Sequence, residues 1–339
     1  MHHSPWNYRV CKAFRGFLQL SSRRVLLIDT DTASDDAVAL IMALRSPDVE
    51  VVAITVVAGN AGVEQAVQNA LFTAELCGSA VPIFVGAAAP LIRTPEDAVW
   101  FHGQDGLGDH GYRPQKRTAS EGFAVDAMVR IITENPGIEV ITLGPLTNLA
   151  LALAQAPKIA GNVSRCVVMG GAPCCEGNVT PAAEFNFWVD PEAARRVMRS
   201  HLPIEMVGWQ LSRGTAVVNV AEIQQLLALG TDFAEFAVRS NDTAREAFRV
   251  QTGEEGIALP DPVAMAILLD PSLVLSAGDH YVDVQVDSGL TRGMSVVDRL
   301  GVAKDSRNQG VWRDIPVKHK VIWEIDNSKW KQALRQALQ

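Results

Sequence analysis

The chain has 339 residues, 48% of them hydrophobic and 20% charged, with a formal net charge of −8. This is a globular composition with enough apolar material for a large core. The acidic balance argues against nucleic acid as a partner. No apolar run reaches the ~18–20 residues that a membrane-spanning helix needs.

Residues 1–24 stand apart from the rest. They contain no acidic residue and carry Arg9, Lys12, Arg15, Arg23 and Arg24. Such a stretch suits a loose N-terminal extension or an organelle-targeting segment. Residues 25–339 read as one domain, with no Pro-, Gly- or Ser-rich linker and no internal repeat. The five cysteines, Cys11, Cys77, Cys166, Cys174 and Cys175, have no metal-binding spacing. A reduced, cytoplasmic protein is the expectation.

The apolar run Val25-Leu26-Leu27-Ile28 predicts a buried strand. It leads into Asp29, Asp31, Asp35 and Asp36. Ser34 is the expected N-cap of a helix running through Leu44, with Asp35 and Asp36 in its first turn. A helix N-terminus accounts for two of these carboxylates at ~0.3–1 kcal/mol. It does not account for Asp29 and Asp31, which interrupt the end of an apolar strand. Carboxylates so crowded need protonation or a cation, and a hard divalent ion with oxygen ligands, Ca²⁺ or Mg²⁺, is the simplest answer.

Strands and helices then alternate. Val51–Val57 is β-branched and ends at Gly59-Asn60, and a helical pattern fills Val63–Cys77. Short strands follow at Pro82–Val85, Val140–Leu143, Cys166–Met169 and Pro203–Val207. Helices are expected up to about Ala154 and from near Pro191. This alternation predicts an α/β fold: a mostly parallel open sheet with helices on both faces, binding its ligand beyond the carboxyl ends of the strands. In the last third, Ala221 to about Arg249 reads as helical and Asp261–Leu269 as a short helix. His280–Val286 and Met294–Val297 read as a hairpin, Pro316–Ile325 as a last strand and Ser328–Leu338 as a closing helix. The hairpin is an antiparallel addition to the same domain.

Three further stretches carry candidate chemistry. Asn178, Glu184 and Asn186 are hydrogen-bonding groups in an otherwise apolar segment, and Glu184 and Asn186 share a face if it is extended. Such a set suits sugar hydroxyls. Asp261 lies between two prolines at a helix start. Trp100-Phe101-His102-Gly103 opens a glycine-rich loop that suits a mobile lid. No glycine-rich phosphate loop follows any strand.

These residues together resemble the inosine–uridine nucleoside hydrolase family, the nucleoside N-ribohydrolases. The family's Asp-x-Asp-x-x-x-Asp-Asp motif is matched by Asp29, Asp31, Asp35 and Asp36. The pattern continues through Gly59-Asn60, His102-Gly103, Gly144-Pro145-Leu146-Thr147-Asn148, Met169-Gly170-Gly171, Gly177-Asn178, Ala183-Glu184-Phe185-Asn186, Asp190–Ala194 and Asp261-Pro262. The resemblance implies hydrolysis of ribonucleosides to base and ribose. It implies one Ca²⁺ per subunit on Asp31, Asp36, Asp261 and the Leu143 carbonyl, with Asp31 as the base that deprotonates the ion's water. It places Asp35, Asn60, Asn178, Glu184, Asn186 and Asp261 on ribose hydroxyls and Met169 beside the sugar. By analogy the protein is a homodimer or homotetramer.

One position departs from the family pattern. The residue before the last metal aspartate is often His or Trp in members, and here it is Pro260. His102, Trp100, Trp209 and Phe248 are the candidates to serve the leaving base instead, with His102 as the acid. The aromatic supply favours purine ribonucleosides.

Two rival readings fit parts of the chain. Asp29-Thr30-Asp31-Thr32, with Asp279 and Asp283, resembles the acidic motifs of haloacid-dehalogenase-type phosphatases. A non-catalytic nucleoside- or ribose-binding protein would use the same fold.

Overall fold

A computed structural model describes residues 23–339. The expected 1–24 extension therefore lies outside the described residues, apart from Arg23 and Arg24, and Arg24 already belongs to the first strand. The elements of the first half are β1 (Arg24–Thr30), α1 (Ser34–Arg45), β2 (Val49–Val56), α2 (Val63–Leu76), β3 (Ile83–Val85), α3 (Val99–His102), β4 (Ser120–Phe123), α4 (Ala124–Glu134), β5 (Ile138–Thr142), α5 (Thr147–Gln155), β6 (Val163–Met169), α6 (Phe185–Val189), α7 (Pro191–Met198) and β7 (Ile204–Val207). The second half adds α8 (Val220–Leu227), α9 (Asp232–Arg239), α10 (Asp242–Thr252), α11 (Pro260–Leu269), β8 (Val274–His280), β9 (Val282–Val284), β10 (Ser295–Val297), α12 (Gln309–Trp312), β11 (His319–Ile325) and α13 (Asn327–Ala337).

Nine strands form the main sheet in the order β4-β3-β2-β1-β5-β6-β7-β11-β8. All neighbours are parallel except β8, which runs antiparallel to β11. The expected hairpin is present as a separate pair, β9 with β10. His280 is not part of it. It ends β8 and pairs with His319.

The sheet is buried on both faces because its strands are apolar on both. Leu26 and Ile28 of β1 join one core, with α1, α2 and α11, while Leu27 joins the other, with α4, α5 and α7. That alternation is the period-2 geometry of a strand. β1 lies between β2 and β5, so the chain leaves it in opposite directions on its two sides. Such a switch point opens a crevice at the carboxyl ends of the strands.

The expected single helical run Ala221–Arg249 is three helices. Gly230 takes a left-handed φ of 66° at the first break, and Thr231 then caps α9 by accepting from the Ala234 N–H at 3.1 Å. At the second break Asn241 donates from Nδ2 to the Ala237 carbonyl at 2.9 Å, satisfying the end of α9. No helix among the described residues is long and apolar enough to cross a membrane.

α11 is almost wholly buried and lies against α1 and α13. Two arginines from the sheet satisfy its last carbonyls. Arg24 donates to Leu268 and Leu269 at 2.9 and 2.8 Å, and Arg165 to Leu268 and Ile267 at 2.9 and 3.1 Å. Cations there also complement the helix dipole. Trp330 of α13 closes the same layer, fully buried, with Nε1 donating to Ala216 O at 3.1 Å. Trp330→Ala should cost about 3–5 kcal/mol and lower the thermal midpoint by roughly 6–20 °C. Trp330→Phe, which keeps most of the packing, should lose about 1 kcal/mol. Thermal melts of the two variants check this.

Candidate active site

The polar residues at the carboxyl edge of the sheet come from separate elements. β1 and the turn after it supply Asp29 and Asp31, the first turn of α1 supplies Asp35 and Asp36, and the first turn of α11 supplies Asp261. Asn60 follows β2, Leu143 follows β5, and Met169 ends β6.

Asp29 is held from behind by Thr55 Oγ1 at 2.6 Å and Asn148 Nδ2 at 2.9 Å. Burial pushes its carboxyl up to about 7 against those two hydrogen bonds. Asp31 is gripped by backbone. Its Oδ2 accepts from the Asn60 N–H at 2.6 Å. A Cβ on Gly59 would lie 2.1 Å from Asp31 Oδ2, and one on Gly144 would lie 2.5 Å from Oδ1. Only glycine lets both loops close on this carboxylate.

Asp36 accepts from Thr30 Oγ1 at 2.6 Å and from the Ala33 N–H at 3.0 Å. The expected Ser34 cap is thereby corrected. Ala33 is the N-cap residue, Asp36 satisfies its N–H, and Ser34 is the first helical residue. The Ser34 hydroxyl is engaged elsewhere, sharing a hydrogen bond with His102 Nδ1 at 2.8 Å.

Oxygens of Asp35, Asp36 and Asp261 lie within 4.8 Å of one another. Asp31 adjoins them closely enough that the charge on Asp36 raises it further, after burial, well above the carboxylate range. Burial and then Asp36 push Asp35 up to about 7, and burial and then Asp35 hold Asp261 well above its ordinary value. Asp31 Oδ1 and Asp35 Oδ1 are buried without a hydrogen-bond partner. Clustered hard oxygens, mutual repulsion and unpartnered acceptors fit a divalent cation of the Ca²⁺ or Mg²⁺ type.

A cleft of about 680 Å³, open mouth included, lies over these acids. Asp35, Asn60, Leu143, Met169, Asn178, Glu184, Asn186 and Asp261 line it, so the residues expected around the sugar come together. The segment carrying Glu184 and Asn186 is not extended. Glu184 caps α6, accepting from the Asn186 N–H at 2.9 Å and the Gly171 N–H at 2.7 Å. Burial pushes Glu184 up to about 7. Asn186 Nδ2 donates to the Leu143 carbonyl at 2.8 Å, and Asn178 Oδ1 accepts from the Phe185 N–H at 2.9 Å.

Part of the lining is aromatic. Trp100, Phe101, His102 and Trp209 contribute to it, with Pro260 in the wall. Trp100 is 55% exposed, which suits the rim. Phe248 does not line the cleft. It is fully buried behind Trp209, with ring centroids 6.4 Å apart. Burial alone pushes His102 down to about 3, so the ring is neutral. Asn241 and Gln251 also line the cleft and carried no sequence signal beyond that of helix-boundary and surface polar residues.

The phosphatase-like second motif lies elsewhere. Asp279 is in β8, at the sheet edge, and Asp283 in β9 is paired with Arg195 and Arg199 at 3.3 and 2.7 Å.

Comparison with known proteins follows the same lines. The profile of the family described as inosine-uridine preferring nucleoside hydrolase matches residues 26–331. An inosine-uridine preferring nucleoside hydrolase of Leishmania major is 35% identical over 291 residues, covering 84% of this chain and 91% of that one. The pyrimidine-specific ribonucleoside hydrolase RihA of Salmonella typhimurium is 34% identical over 293 residues, covering 86% and 93%. The solved structure of a plant nucleoside hydrolase, PpNRh1, superposes with a TM-score of 0.88 at 31% identity, covering 94% of this chain and 99% of that one.

The raised carboxyls make stability depend on pH. Asp29, Asp35 and Glu184 sit at about 7 in the folded protein, against 3.8 and 4.5 for ordinary Asp and Glu. Between those values the folded state holds more protons than the unfolded state, so stability falls as pH rises. Metal-stripped protein should therefore melt at a lower temperature at pH ~7.5 than at pH ~5. Millimolar Ca²⁺ should raise the midpoint, and more so at the higher pH, because the ion competes with protons for the same oxygens. Thermal scans with and without Ca²⁺ at both pH values check the sign.

Proposed function

The chain belongs to the inosine-uridine preferring nucleoside hydrolase family and is a hydrolase of N-glycosyl bonds; from that premise we propose that it releases base and ribose from ribonucleosides with Asp31 as general base and one Ca²⁺ on Asp31, Asp36, Asp261 and the Leu143 carbonyl. The observation that carries this reading is the buried acid cluster with unpartnered oxygens, set beneath a polar wall suited to a sugar. When bound, the ion offsets the carboxylate charge and lowers the pKa of a water that it ligates.

The side chains divide the remaining tasks. Asp31 takes the proton of the attacking water. Its Oδ2 is fixed by the Asn60 N–H, and Oδ1 is the atom left to receive it. Asp35, Asn60, Asn178, Glu184, Asn186 and Asp261 hold the ribose hydroxyls, and Met169 packs beside the ring. The reaction passes through an oxocarbenium-like state, whose positive charge is offset by the carboxylates beneath it. His102 is neutral, so it serves the leaving base as a hydrogen-bonding partner and proton relay, not as a standing imidazolium.

Trp100 gives the base a surface on which to stack, and Pro260 also lines the cleft. Purines offer the larger face, at ~1–3 kcal/mol per stacked base, so purine ribonucleosides are the favoured substrates. Ribose release from inosine, adenosine, guanosine, uridine and cytidine tests this, and specificity constants strongly favouring uridine and cytidine would overturn the preference.

Asp31→Asn should lower turnover by about 10³-fold or more, since it removes the base and perturbs the ion site. A reducing-sugar assay checks this, and a loss of only a few-fold would refute the assigned role. 2′-Deoxyinosine should react at least ~10²-fold more slowly than inosine, because polar groups built for the 2′-hydroxyl would be left unpaired. The ratio of the two specificity constants measures that directly.

A further inference from the structure

Two residues that line the cleft each carry a buried polar atom that the roles above do not use. Asn241 stands between α9 and α10, is 1% exposed and lines the cleft. Its amide nitrogen is engaged: Nδ2 donates to the Ala237 carbonyl at 2.9 Å and the Ser34 carbonyl at 3.3 Å. Two carbonyl partners can be served only by the NH₂ group, so the orientation of the amide is fixed. Oδ1 is then the remaining atom, buried and without a partner. Trp209 is in the same position with opposite sign. It is 4% exposed and lines the cleft, and its Nε1 is a buried donor without an acceptor.

Both residues lie against α10. Asn241 precedes its first residue, and Trp209 packs on Phe248 within it. Asn241 is also tied to the His102 side of the site, since Ser34 gives its carbonyl to Asn241 and its hydroxyl to His102. The sugar-facing groups Asn178, Glu184 and Asn186 come from other elements, before and within α6. A buried polar atom left unpaired costs about 1–3 kcal/mol. Leaving both a fixed acceptor and a donor unpaired in one cleft is accounted for by a ligand that supplies the partners.

We propose that Asn241 reads the nucleobase: its Oδ1 accepts a ring N–H of the bound base, while Trp209 Nε1 donates to an acceptor on the same base. A lactam edge, as in a 6-oxopurine or uracil, offers an N–H and a C=O side by side. Ribonucleosides with that edge are the ligand class. The proposal rests on the nucleoside-hydrolase reading of the cleft.

Specificity constants for inosine, 1-methylinosine, uridine, 3-methyluridine and p-nitrophenyl β-D-ribofuranoside, in wild type and Asn241→Ala, test it. Wild type should prefer the better of inosine and uridine over its N-methyl derivative by about tenfold or more. Asn241→Ala should narrow that ratio at least fivefold, and should shift the ratio of nucleoside to aryl riboside, whose leaving group has no N–H, by about tenfold. Loss of packing alone would lower all the constants without moving these ratios. Unmoved ratios in a variant that still cleaves the substrates would overturn the role of Asn241 and leave the hydrolase reading intact. Wild type cleaving none of these ribosides would overturn both. If Asn241→Ala does not fold, inhibition of wild type by hypoxanthine and 1-methylhypoxanthine decides instead. Weaker inhibition by the methylated base supports the proposal, and equal inhibition overturns it.

Discussion

Four carboxyl groups crowd together beyond the end of β1, and a fifth, Asp29, is buried in the strand itself. Asp29, Asp31, Asp35, Asp36 and Asp261 are each no more than 6% exposed. Two like charges ~4 Å apart repel by about 4 kcal/mol at an effective dielectric constant of 20. Burial adds a desolvation cost for each one that ionises. The local structure is arranged around this problem. Gly59 and Gly144 bring backbone against Asp31. Thr30 and the Ala33 N–H hold Asp36, and Thr55 and Asn148 hold Asp29. These contacts satisfy some of the oxygens and aim the others, Asp31 Oδ1 and Asp35 Oδ1 among them, at no protein donor.

The wider fold holds the cluster in register. β1 delivers Asp29 and Asp31 at the switch point, where the crevice opens because neighbouring connections diverge. Asp261 comes from a helix far along the chain. Its placement depends on α11 packing on α1 at one end and accepting hydrogen bonds from Arg24 and Arg165 at the other. Arg24 and Arg165 stand on β1 and β6, so the sheet itself sets where α11 ends. The sugar wall is fixed just as indirectly. Glu184 reaches Gly171 after β6, and Asn186 reaches the Leu143 carbonyl after β5. The substrate-facing groups are thus tied to the same strand ends as the acids.

Much of this was legible in the residues. An apolar strand interrupted by aspartates has no cheap explanation other than a site, and the alternating strands and helices named the sheet. Asp29, Asp31, Asp35 and Asp36 were found because carboxylates are conspicuous in apolar surroundings, whereas Asp261, at a helix start between two prolines, joined them only through the family resemblance. The misses share a physical cause. Ser34 looked like a cap, but Asp36 closes the helix start instead, and the Ser34 hydroxyl goes to His102 of α3. Phe248 is aromatic like Trp209, but nothing local shows which ring faces the cleft and which stands behind it. Asn241 looked like a helix-boundary residue, which it also is. Its unpaired oxygen is a property of the tertiary arrangement. The break at Gly230 was visible in principle, since glycine commonly ends a helix in the left-handed region.

The account turns on the acid cluster being built for a cation. Calorimetric titration of metal-stripped protein with Ca²⁺ at pH ~7, in two buffers of different ionisation enthalpy, measures stoichiometry and proton release together. Raised carboxyls that lose protons on binding predict one ion per chain with release of about one proton or more. Absence of binding, or full ribose release from inosine by protein shown by elemental analysis to be free of divalent metal, would contradict it.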